Sequence, residues 1–169
     1  MRTLLLAIVL ASFAAPAVSQ VVLSPDEIAM INGINWFRDQ HELSPLTPDA
    51  SLMLAARERA PYYDHNAMGM NHAAHARRYG FYGGASSEII ASGQRTSEDA
   101  VTAWIRSKRG HNGAMRGNYN AIGVGAENRK YCAIMGRTNN VSPVYQHVAA
   151  AQKPSRSPAK QYVWTWDLW

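Results

Sequence analysis

Two residue types able to do chemistry stand at either end of one short helical pattern: Glu88 in Ser-Ser-Glu-Ile-Ile-Ala-Ser-Gly, and His111 after Trp-Ile-Arg-Ser-Lys-Arg-Gly. A carboxylate among small and aliphatic neighbours must find partners on burial or cost several kcal/mol, roughly. Capping loop amides is the ordinary structural use of such a group. Upstream, His72 and His75 lie three apart and share a face if the segment is helical. That spacing suits two ligands on one metal, and it equally suits a surface or satisfied-core pair. If His72, His111 and Glu88 converge, two imidazoles and a carboxylate with an open fourth position make a site for zinc or another divalent metal, where bound water is activated. That is the chemistry of a metal-dependent hydrolase, peptidase-like, in the cell envelope or outside the cell. The chain offers no defined second carboxylate as general base, and neither His-Glu-x-x-His nor Gly-x-Ser-x-Gly. A binding module without turnover is therefore preferred to an enzyme.

The elements that must position these groups can be read from caps and periodicity. Ser24-Pro25-Asp26-Glu27 has the form of a capping box with proline in the first helical position. Met30, Ile31, Ile34 and Phe37 then fall on one face, while Gly33 and its asparagine neighbours require packing to hold the helix. Thr47-Pro48-Asp49 repeats the cap-then-proline signal for a second helix. Leu52, Ala56 and Ala60 make a narrow small-residue stripe on it, and Pro61 ends it. Tyr62 and Tyr63 are expected to continue its buried side. A loop over His65 to Met70 leads to Asn71, which caps a short helix stopped at Gly80. Thr96 or Ser97 starts the helix that carries Trp104, and His111 is expected in the loop behind it. Residues 120–127 and 130–135 read as a hairpin turning at Asn128-Arg129.

Length and charge bound the rest. The 169 residues hold one domain: a signal peptide over residues 1–19, a body over 20–138, and a Pro/Ser/Ala-rich tail over 139–169 with an aromatic end at Trp164, Trp166 and Trp169. The apolar run after Arg2 is too short to span about 30 Å of hydrocarbon, so no transmembrane anchor is expected and the protein is read as secreted, extracellular or periplasmic. A lone cysteine, Cys132, forbids an internal disulfide, leaving hydrophobic packing to hold the fold. The net charge of +5 comes largely from scattered arginines, among them Arg57, Arg59, Arg77, Arg78, Arg106, Arg109 and Arg116. With export, this scatter argues against nucleic acid as a partner.

The order of these pieces resembles the CAP superfamily, also called the SCP or PR-1-like domain, in its bacterial secreted form. The resemblance runs over roughly residues 27–136. Its carriers are Asn35 to Arg38, the Leu52-Ala56-Ala60 stripe, Arg77 or Arg78 with Gly80, Glu88-Ile89-Ile90 where the family has Glu-Asn-Ile, Trp104 with Ser107 and His111-Asn112, and Tyr119 with Ile122 to Gly125. It implies an α+β fold, a three-layer α-β-α sandwich with a small antiparallel sheet between helices. It also implies a cleft with two histidines and two acids. Residue by residue, His111 matches the second histidine and Glu88 the first acid. His72 matches the first histidine, with His75 as the alternate, and Ser107 stands where the second acid would be. Some members of the resembled family bind lipid or sterol, so the resemblance implies no single ligand; a lipid or sterol-like molecule, a divalent metal and a cell-envelope component are the candidate partners.

Overall fold

The computed structural model describes residues 21–62, 71–84 and 86–144. The signal peptide, Tyr63, the loop from His65 to Met70 and the aromatic end of the tail lie outside the described residues. Helix α1, Pro25–Asp39, starts on the expected capping box: Ser24 Oγ accepts from the Glu27 amide, and the Glu27 carboxylate accepts from the Ser24 amide. Met30, Ile31, Ile34 and Phe37 are buried. Gly33 is placed where a β-carbon would sit 3.1 Å from Val101, so the poor helix former is what admits the helix carrying Trp104. Asn35 is half-buried. Its amide donates to the Leu46 carbonyl and its oxygen accepts from the Leu46 amide, fixing the connector.

Thr47–Pro48 is not a helix start but a two-residue strand, β1, and Asp49 alone caps helix α2, Ala50–Arg59. The cap-then-proline pattern misleads here because the Asp49 amide, just after Pro48, is taken by the Ile122 carbonyl of the sheet. Tyr62 is 47% exposed, contrary to expectation, since α2 has already ended. Helix α3, His72–Arg78, is capped by Asn71, and the chain leaves it through Gly80 at φ +91°. Strand β2, Ser86–Ser92, carries Glu88, and helix α4, Ser97–Ile105, is capped by Thr96. His111 does not sit in a loop. It opens a five-residue helix, α5, His111–Met115, after Gly110 reverses the chain at φ +93°. Strands β3, Ala121–Glu127, and β4, Lys130–Gly136, form the hairpin, with Asn128 and Arg129 both left-handed at φ 50° and 59°. Positive φ at both central residues is the type I′ signature that matches strand twist.

The sheet order is β1-β3-β4-β2, antiparallel except that β1 runs parallel to β3. Strand alternation divides two cores. Ile89, Ile122, Val124, Ala133 and Met135 pack with Met30, Ile34, Val101 and Trp104 of α1 and α4. Cys132 and Ile134 pack on the other face with Leu52, Ala55, Ala56 and Ala76 of α2 and α3. This is an α+β fold, a mixed sheet between helical layers. The packed chain also runs past residue 138: the Ser142 amide donates to Asp49 Oδ2, and its carbonyl accepts from the Ala50 amide.

Candidate functional site

Glu88 pairs in register with Ile134 and so points to the α2–α3 face, opposite to Ile89. Arg59, in the last turn of α2, meets it there: Nε lies 3.1 Å from Glu88 Oε1, and the two side chains are 4% and 2% exposed. His72 comes from the first position of α3, with Nδ1 3.4 Å from Oε2 and its ring about one-third exposed. Each carboxylate oxygen therefore faces a separate nitrogen group. Burial alone would raise the Glu88 carboxyl, but the contacts with His72 and Arg59 outweigh it and hold the group below the ordinary carboxylate range.

The two neighbouring histidines do different work. His75, one turn on and buried, approaches the Ala55 carbonyl through Nε2 at 3.0 Å. A carbonyl only accepts, so this contact places the ring proton on Nε2. Glu58 Oε2 lies 3.5 Å from the same nitrogen, and Tyr79 meets the ring edge-on at 5.6 Å. Burial, together with the hydrogen bond and charge of Glu58, raises the Tyr79 phenol. His75 thus joins α3 to α2, and His72 faces Glu88.

At the other end of the stretch, His111 Nδ1 lies 2.7 Å from Ser107 Oγ, which also accepts from the Arg109 amide. The serine in the place of a second acid orients the imidazole. Gly110 allows this by turning the chain so that His111 comes back against Ser107, four positions before it. Helix α5 packs on α4 and β2.

Of the three expected ligands, the structure sets His72 against Glu88 and His111 against Ser107. Among the described residues no group of three or more His, Cys, Asp or Glu side chains is gathered to hold an ion. The carboxylate that would ligate it already faces a buried guanidinium, whose fixed charge opposes a second cation. Sequence reading missed Arg59, Glu58 and Tyr79. One signal was present for Arg59: it lies seven residues after Leu52 and three after Ala56, on the stripe that faces the sheet.

The model of the CAP family, the cysteine-rich secretory protein family, matches residues 31–166. Among solved structures, an extracellular SCP-domain protein from Bacillus anthracis is 21% identical with a TM-score of 0.59, over 69% of this chain and 44% of that one. An outer surface protein from Borrelia burgdorferi is 22% identical at 0.57, over 64% and 89%. A cysteine-rich secretory protein from Staphylococcus aureus is 14% identical at 0.57, over 67% and 38%. This chain therefore spans less than half the length of the Bacillus and Staphylococcus chains, and at these identities the likeness is one of fold. A search of the curated proteins returns no match. No helix among the described residues is long and apolar enough to cross a membrane.

Proposed function

The chain belongs to the CAP family, and from that premise we propose that it is an exported binding domain that recognises an apolar ligand or a cell-envelope component without turning it over. The observation that carries this reading is the state of Glu88. A general acid or base needs a pKa near the working pH and a free approach to the reacting proton. Glu88 is held below the ordinary range, with Arg59 on one oxygen and His72 on the other. Such a group is a weak base at neutral pH and a fixed acceptor. It holds α3 to the sheet and orients a partly exposed imidazole beside it, which suits recognition better than proton transfer. The extracellular setting of the Bacillus relative and the leader-like first 19 residues support export.

The test is turnover and ligand retention on one preparation. Peptide and ester substrates should show no hydrolysis that depends on Glu88, and native mass spectrometry should find apolar molecules that co-purify with the chain and are reduced in His72→Ala. Hydrolysis abolished both by Glu88→Gln and by a chelator would overturn the reading in favour of a metal-dependent hydrolase.

A further inference from the structure

We propose that the groove between the α3–β2 connection and the segment after β4 binds a glycan. It is built from residues other than the His72–Glu88–Arg59 group and does not rest on the reading of that group. Its volume is about 590 Å³, within the range of small-molecule sites, about 300–1,000 Å³. Its outstanding feature is Tyr82. Phe81 beside it is buried in the core, whereas Tyr82 is 82% exposed, far above the 37–47% of the other exposed large apolar side chains among the described residues. A flat ring held out at the edge of a groove is a platform for a ligand with an apolar face.

The opposite wall is polar and carries both hydrogen-bond roles. Thr138, Asn139 and Asn140 line it, with Arg137 beside them. The Thr138 hydroxyl proton is spent within the wall on the Asn140 carbonyl, so the side-chain amides of Asn139 and Asn140, which both donate and accept as sugar hydroxyls do, are the groups that complement a polyol. Asp49, which also lines the groove, is 1% exposed and already accepts from the Leu52 and Ser142 amides, so its carboxylate is taken up by the fold. The Arg137 guanidinium donates to Asn118 Oδ1 and adds one cationic donor to the lining, which a ligand's hydroxyl oxygens can also use. A ligand with hydroxyl edges and a C–H face matches the two walls together.

Both walls are fixed before any ligand arrives. The Thr138 amide donates to Asn120 Oδ1, Asn120 Nδ2 donates to the Thr138 carbonyl, and the Asn140 amide donates to Thr138 Oγ1. The Gly84 amide donates to the Arg137 carbonyl at 2.7 Å, joining one wall to the other. Gly83 permits this approach, because a β-carbon there would lie 2.3 Å from that same carbonyl oxygen. Pre-formed walls lose little entropy on binding.

The experiment is an NMR titration of the purified full chain with chitotetraose and with cellotetraose, each to about 10 mM, where even millimolar affinity registers. Saturable shifts at residues 80–84 and 137–142 are expected with at least one probe. Tyr82→Ala should weaken binding about tenfold or more, and Tyr82→Trp should restore it. Glu88→Gln should leave it unchanged, which separates this site from the function proposed above. No saturable shift with either probe, or binding indifferent to Tyr82→Ala, overturns the proposal. Preferential binding of a tetra-alanine peptide at the same residues overturns it too, since the groove would then be a peptide site. Tyr82 is a surface side chain, so the variants retain the fold.

Discussion

Glu88 and Arg59 form a pair whose value depends on both members being present. Removing one partner of a buried ion pair leaves an uncompensated charge and costs about 3–5 kcal/mol, whereas replacing both with apolar groups is often neutral or stabilising. Glu88→Ala should therefore lower stability by about that amount, and Arg59→Met with Glu88→Leu should recover most of it, as read from urea unfolding midpoints. Equal losses in the single and double variants would show that the pair is not the unit. The same carboxylate sets a pH dependence. Because its pKa is lowered on folding, its contribution is complete above the ordinary carboxylate value, about 4.3, and disappears as pH falls through the lower folded value. The stability gap between the native chain and Glu88→Gln should hold from pH 7 to 5 and shrink below about pH 4. A gap that stays constant into acid would remove the charge from the explanation.

Among the elements, the joint between α2 and the sheet places Arg59 against Glu88, and two glycines make that joint. A β-carbon at Gly123 would lie 2.0 Å from the Leu52 carbonyl carbon, and one at Gly125 would lie 2.4 Å from the Ala56 carbonyl oxygen. Both obstacles are backbone, which cannot rotate away, so Gly123→Ala must push α2 off the strands. The cost should exceed the roughly 1–3 kcal/mol of ordinary overpacking. Gly113→Ala, where nothing lies within 4 Å, is the control and should be near neutral in the same unfolding experiment. This joint explains what was legible in the sequence. Caps and spacing gave α1, α3, α4 and the hairpin because those signals are local. The two-residue β1 and five-residue α5 are too short for any period to register. Glu88, His72 and the His111–Ser107 pair were visible as chemistry-bearing residues. Arg59 was lost among the scattered arginines, because its partner stands 29 residues away and only the sheet brings them together.

At the scale of the whole molecule, one sheet must hold two cores together without a covalent tie. The only cysteine, Cys132, is fully buried on β4, between Ile90 of β2 and Gly125 of β3, on the face that α2 covers. Burial and then the charge of Glu88 push its thiol well above the ordinary range, so little reactive thiolate exists in the folded state. Alkylation therefore requires α2 to leave the sheet. That separation would also expose Leu52, Ala56 and Ile134 and break the Arg59–Glu88 pair. Opening at Cys132 should consequently coincide with global unfolding. Iodoacetamide at pH 8 should leave the native chain unmodified over hours and add one group in denaturant. Along a urea series the labelling rate should track the unfolded fraction. Glu88→Ala should label faster by about tenfold for each 1.4 kcal/mol of lost stability, while a reductant should leave the melting temperature of the native chain unchanged. Rapid labelling without denaturant would instead mean that the α2–α3 layer opens on its own, and the sheet would then join two cooperative units rather than one.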